Sequence, residues 1–427
     1  MVISGLFWGA CYSRTGRCFG WMVISDHPLW VQGLQGTAQV NDAERVKTGK
    51  HLPELDGIRG AAVLMVVLLH TLFGIMAPES QFQIPKPLFG LIFRGAGGVD
   101  LFFVLSGFLI GGILVDHRGA DNYFKVFWIR RAARILPVYL LLMVTYVFAS
   151  HIGQTVEAPW FHAFLMVDQL PIWSYLTFTQ NYFMAFENTG GARWVGITWS
   201  LAVEEQFYLI FPFVVFFLPK KSVMKIALAF LILAPILRSY LWAHYSFYVG
   251  YFPTPARADG LMFGVVAAYL IRSPKLRWFA DRRVLLDIIA GVAIVTLMWG
   301  VQWVGESGAY SLRSALFAYA IVRIFITDGV YRKILRSRFM VFMGLISYSF
   351  YMYHQAVNGL LHGYFLNQVP RVENWAGVAV GTSVLLVSAG LATLSTRYFE
   401  KPFRDLGKRF KYRRPAAREA SAVAYAQ

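Results

Sequence analysis

The chain has 427 residues, of which 57% are hydrophobic, 17% aromatic and only 15% charged. Soluble domains carry about 25% charged residues, so this composition excludes a soluble enzyme and fits a helical membrane protein. The formal charge of +17 does not point to nucleic acid, because the basic residues sit in short segments between long apolar runs, as in loops that face anionic lipid.

Residues 1–50 hold no apolar run of spanning length and no basic stretch followed by an apolar core, so no signal peptide is expected. The words "MVIS" open the chain and recur at Met22, which leaves an over-extended start and a cytoplasmic tail as two open readings. Cys11 and Cys18 are too few for a disulfide framework. From Gly57 onward ten spans are predicted: 57–77, 99–115, 134–150, 199–218, 223–243, 257–272, 284–304, 311–327, 340–364 and 375–396. Each is near the roughly 20 residues that cross a hydrocarbon core. A transmembrane barrel would show short alternating stretches instead.

Segment 160–186 is an eleventh candidate, and charge decides against it. With ten spans and the N-terminus inside, segments 1–59, 116–134, 219–225, 272–283, 328–339 and 397–427 hold 32 of the 40 Lys and Arg. The outer loops 78–98, 151–198, 244–256, 305–310 and 365–374 hold 4. An eleventh span would invert everything after it, so 151–198 is expected as an outer loop with a re-entrant or interfacial piece. Trp160, Trp173, Tyr175 and Tyr182 suit such an interface. The expected fold is an all-α integral membrane bundle of about ten helices with both termini cytoplasmic, residues 1–50 as an extension and 406–427 as a basic tail. The spans do not pair into similar halves, which weakens a transporter reading.

Ionisable groups inside a bilayer are costly, so each is a candidate for function. Arg59 and His70 are eleven residues apart on one helix, which returns to within roughly 20° of the same face about 16 Å further along. Arg59 can hold a phosphate at the cytoplasmic mouth, and His70 can take a proton from an alcohol in the outer half of the membrane. The bland alternatives are a snorkelling arginine and an interhelical hydrogen bond. Asp100, in "GGVDLFFVLSGFLIGG", can orient an imidazole or serve as a helix N-cap. Arg131 and Arg134, one turn apart in "FWIRRAARILP", make a phosphate clamp or follow the positive-inside bias. Glu204 and Glu205 lie inside an otherwise apolar span, with Ser200, Glu204 and Tyr208 on one face. Arg257 and Asp259 open the sixth span, and Ser347, Tyr351, His354 and Asn358 stripe the ninth, either lining a polar cavity or forming a helix–helix seam. Arg238, Arg313 and Arg323 are also intramembrane and need carboxylate partners, a role some of these acids can fill.

These motifs resemble the bacterial acyltransferase 3 family of multi-pass O-acyltransferases over residues 51–405. The resemblance rests on Arg59 with ten residues then His70, "GGVDLFFVLSGFLI", "RRAARILPVYLL", "TWSLAVEEQFYLIFP", "SYSFYMYH" and "RYFEKPFR". It implies a catalytic role for Arg59 and His70, donor binding by Arg131 and Arg134, and a match of Glu204 to the glutamate of the family's "WSL" motif. The chain shows no appended hydrolase-like domain and so resembles the stand-alone branch. The implied reaction is transfer of an acyl group, acetyl in the simplest case, from acyl-CoA as co-substrate to a carbohydrate or glycolipid hydroxyl at the bacterial inner membrane. His70, oriented by Asp100 or Glu204, would act as base or brief acyl carrier; Arg59, Arg131 and Arg134 would bind the donor; Glu205, Arg257, Asp259, Tyr351 and His354 are assigned to the substrate. No permanent cofactor and no metal are expected, since the polar set is not a closed tetrahedral site. The family leaves the acceptor open, and the sequence leaves the oligomeric state open. The rival readings are a transporter or flippase and a non-catalytic envelope scaffold.

Overall fold

The computed structural model describes residues 51–73, 97–299 and 301–413, and these are predominantly helical, without a strand. The predicted extension 1–50, most of the outer loop 78–98 and the end of the basic tail lie outside the described residues. The first helix, α1 (Pro53–Leu68), begins with proline in its first turn and carries Glu54 and Asp56 there, where the fixed φ and the helix dipole favour them. It continues as a π-turn over Leu69–Phe73. Then follow α2 (Gly98–Asp116), α3 (Tyr123–Gly153), α4 (Pro159–Leu165), α5 (Ile172–Leu176), α6 (Gln180–Phe186), α7 (Trp199–Phe217) and α8 (Lys220–His244). The second half holds α9 (Phe247–Tyr251), α10 (Thr254–Leu270), α11 (Lys275–Asp281), α12 (Arg283–Trp299) and α13 (Val301–Ile324). It closes with α14 (Val330–Leu335), α15 (Arg338–Leu366), α16 (Trp375–Leu394), a second π-segment over Ser395–Glu400, and α17 (Lys401–Arg409).

Six of these segments are long and apolar enough to cross a membrane: Pro53–Phe73, Gly98–Asp116, Tyr123–Gly153, Gly196–Phe217, Lys220–His244 and Trp375–Arg409. The other four predicted spans also fall on helices, α10, α12, α13 and α15. α10 is more polar because it carries Arg257 and Asp259, both turned into protein. α13 breaks at Gly305, whose φ of 68° suits glycine, so helix begins directly after it where a loop over 305–310 was predicted. Segment 160–186 forms three helices of seven, five and seven residues, each far too short to span. It is pinned to the bundle: the Tyr139 hydroxyl donates to the Tyr175 carbonyl at 2.8 Å, and Gln206 Nε2 donates to the Phe178 carbonyl at 2.7 Å.

Glycines set the closest helix pairs. A Cβ on Gly344 of α15 would lie 1.9 Å from the Asp56 carbonyl oxygen of α1, and one on Gly264 of α10 would lie 1.9 Å from the Val104 carbonyl oxygen of α2. Small residues at such crossings let backbones approach, and packing then does the work that hydrophobicity cannot do in lipid. On α8 the exposed face reads Leu228, Ile232 and Ile236 at four-residue spacing, an outward apolar stripe of the kind lipid covers.

Candidate active site

Helices α1, α2, α3, α7 and α15 surround a cavity of about 120 Å³. Its polar wall consists of Arg59, Arg131, Arg134, Ser106, Ser200, Glu204, Tyr208, Ser347 and Tyr351, and its apolar wall includes Phe102, Leu109, Ile135 and Met352. The expected face of α7 is realised: Ser200, Glu204 and Tyr208 all reach the cavity from successive turns.

The three arginines of this wall differ in what holds them. Arg59 Nη1 lies 2.7 Å from Asp56 Oδ1, one turn earlier on α1. The Arg131 and Arg134 side chains, one turn apart on α3, make no hydrogen bond or ion pair with any described residue. Three guanidinium groups converge on this wall, two of them without an ion-paired carboxylate, and guanidinium groups so placed suit the oxygens of an anion. On the same wall the Tyr208 hydroxyl donates to Glu204 Oε2 at 3.1 Å. That uses the only phenolic hydrogen, so the Ser106 hydroxyl beside it is the donor to Tyr208.

His70 is carried by the π-turn that continues α1. It does not line the cavity. Its Nδ1 lies 2.9 Å from His354 Nε2, and the two rings are parallel within 3°. His354 is fully buried, and its Nδ1 lies 2.6 Å from the carbonyl oxygen of Tyr351, a cavity residue. Asn358, one turn further along α15, donates from Nδ2 to the His70 carbonyl at 3.0 Å. The predicted stripe on α15 therefore faces α1 and joins His70 to the cavity wall.

A family model described as an acyltransferase domain, type 3, matches residues 52–394. The chain belongs to the acyltransferase 3 family. Among curated proteins, a provisionally named O-acetyltransferase of Staphylococcus aureus strain COL is 30% identical over 386 residues, which cover 85% of this chain and 59% of that protein. The O-acetyltransferase OatA of Staphylococcus aureus strain NCTC 8325 is 27% identical over the same coverage. The chain thus spans well under two thirds of the length of these relatives. No solved structure matches it at a significant level.

In this acyltransferase several expected site residues stand elsewhere. Asp100 neither orients the imidazole nor caps its helix. Gly97 is the N-cap, and the Asp100 carboxylate is paired with Arg257 and, at 3.0 Å, with Arg313 Nε. A buried carboxylate goes to the strongest available cations, and two guanidinium groups outcompete a neutral ring. Glu204 likewise meets Tyr208, not His70. Arg257 is 2% exposed and boxed by aromatic rings, with Tyr310 and Tyr251 at 4.6 and 4.9 Å from its guanidinium carbon. Asp259 is paired with Arg238 at 3.0 Å and accepts from the Ser311 hydroxyl at 2.5 Å. Arg257 and Asp259 thus serve the ion-pair network instead of lining the cavity. Glu205 is also off the cavity wall, with a buried Oε1 that has no hydrogen-bond partner. The need for carboxylate partners is met throughout: Arg238 by Asp259, Arg313 by Asp100 and Arg323 by Asp287.

Sequence reasoning missed Ser106 and Tyr348 as wall residues. Ser106 lies within a motif already singled out, as a lone hydroxyl amid apolar residues, and that was the available signal. Among the described residues no group of three or more His, Cys, Asp and Glu is arranged to hold a metal.

Proposed function

We propose that this protein transfers an acyl group, acetyl in the simplest case, from a coenzyme A thioester to a hydroxyl of a carbohydrate acceptor. The observation that carries this reading is the cavity wall of Arg59, Arg131 and Arg134, where two guanidinium groups form no ion pair or hydrogen bond with the described residues. A coenzyme A donor brings several phosphates, and planar, permanently charged guanidinium groups bind phosphate oxygens in pairs. The cavity has arginines on one wall and apolar side chains on another, so the donor's phosphate head would sit at the arginines and its thioester arm would enter. The names of the Staphylococcus aureus relatives support O-acetyl transfer as the reaction type.

In this scheme the thioester arm extends past the Tyr351 wall of the cavity to His70, which is the general base. The imidazole takes the proton of the acceptor hydroxyl as that oxygen attacks the thioester carbonyl. The new C–O bond forms, the C–S bond breaks, and the departing thiolate regains the proton from the imidazolium. Glu204, Tyr208 and Ser106 form a hydrogen-bonded chain along the arm's path, which orders that wall. Ten spans with both termini cytoplasmic, in a bacterial inner membrane, would admit the donor from the cytoplasm and present the acceptor on the far side.

The test is turnover of acetyl-CoA by purified protein in bilayers. His70→Ala is expected to lose at least about 100-fold in kcat while keeping normal abundance and fold. Retained turnover in that variant removes His70 as the base. Failure of the wild-type protein to break the thioester at all favours a solute pathway lined by the same arginines. Mass spectrometry of envelope glycans from a deletion strain then identifies the acceptor as the species that loses one acyl unit.

A further inference from the structure

We propose that His354 is a positioning residue that holds His70 in its Nδ1–H tautomer and so leaves His70 Nε2 as the basic nitrogen. The catalytic meaning of this inference rests on the reading of His70 as the general base; the tautomer itself does not.

The argument starts from a backbone carbonyl, which can only accept a hydrogen bond. His354 Nδ1 lies 2.6 Å from the Tyr351 carbonyl oxygen, so that nitrogen carries a hydrogen. His354 is 0% exposed, and none of its hydrogen bonds goes to a carboxylate. A second proton would place an unbalanced cation there, at a cost that burial makes prohibitive. A neutral ring has one N–H, so His354 Nε2 holds a bare lone pair. That nitrogen lies 2.9 Å from His70 Nδ1, and two bare nitrogens at that distance repel. His70 Nδ1 therefore carries the hydrogen and donates it.

The ring geometry fits this bond. The planes are parallel within 3° and the centroids are 5.2 Å apart, about the 2.9 Å contact plus the two ring radii. The imidazoles thus meet edge to edge, with the N–H directed along the line between them. His70 is held from the same helix face by its backbone, since Asn358 Nδ2 donates to the His70 carbonyl at 3.0 Å. Ring and backbone are both set by α15, 284 residues away in sequence from the residue they position.

The consequence is chemical. Free histidine in water favours the hydrogen on Nε2, which leaves Nδ1, crowded by its own backbone, as the base. Here the order is reversed, and the outer nitrogen is the one that can receive a proton. When His70 Nε2 accepts the acceptor's proton, the new cation is faced by the His354 lone pair, and His354 in turn is faced by the Tyr351 carbonyl. The proton taken up at Nε2 passes to the departing thiolate, and the base returns to its starting tautomer.

Solid-state NMR of the full-length protein in bilayers, with 13C and 15N in its nine histidines, reads the tautomer directly. The His70 signals are assigned by their loss in His70→Ala. The expected result is an Nδ1–H tautomer at His70 in the wild type and a shift to Nε2–H in His354→Ala. That variant should lose about 10- to 100-fold in kcat with the KM for acetyl-CoA unchanged. His354→Gln, whose side-chain carbonyl can accept from His70 Nδ1, should restore the tautomer and part of the rate. An Nε2–H tautomer at His70 in the wild type overturns the proposal, as does an unchanged tautomer in His354→Ala. If His354→Ala does not fold, the wild-type spectrum alone decides. Active His70→Ala protein would instead remove the base reading and leave the tautomer assignment standing.

Discussion

Arg238, Arg257 and Arg313 are buried or nearly so, and each is matched by a carboxylate, Asp259 for the first and Asp100 for the other two. Arg131 and Arg134 also lie within the helical bundle, on the wall of its cavity, and meet no carboxylate among the described residues. The contrast separates two uses of one residue type. Arginines on α8, α10 and α13 hold helices together, and their charge is neutralised inside the protein. On the proposed function the pair on α3 keeps its charge for the phosphates of the donor, and Arg59 joins it while tethered to Asp56.

Substitutions on each side of this divide should differ most in stability. The largest effect is expected for Asp259→Ala, which leaves the fully buried Arg238 without its carboxylate. Breaking a buried pair by removing one partner costs about 3–5 kcal/mol, so thermal unfolding in detergent should show a steep loss of folded protein. A small effect is expected for Arg371→Ala. That side chain is 46% exposed and its partner Glu373 is 41% exposed, at 2.9 Å. Exposed pairs are worth about 0–1 kcal/mol, so the midpoint should move by a few degrees at most. The smallest effect is expected for Arg134→Ala, which breaks no ion pair and relieves repulsion from Arg131. Its midpoint should hold or rise slightly. A collapse of the Arg134→Ala fold would erase the distinction between the two groups.

The α-helical frame was legible in the sequence because apolar runs and helical period are local properties. The same locality made the wall of α7 readable, since Ser200, Glu204 and Tyr208 are fixed by spacing alone. The arginine pair on α3 was readable for the same reason. What escaped was pairing across distance. Asp100 could be seen as a buried acid, but not that Arg257 and Arg313, 157 and 213 residues away, would claim it before the imidazole did. The His70–His354 contact is of this kind too. The π-turn over Leu69–Phe73, which carries His70, also escaped. The eleventh candidate span was resolved by charge, and the structure gives a second reason in its three short helices.

The charge left open at the cavity wall is tested most directly by calorimetric titration of coenzyme A into the protein in lipid nanodiscs, wild type against Arg131→Ala/Arg134→Ala. Charge-assisted hydrogen bonds contribute about 1.5–3 kcal/mol each, so the double variant should bind at least about 100-fold more weakly while remaining folded. Equal affinity in the two proteins would contradict the account, because the unpaired arginines would then be serving no donor.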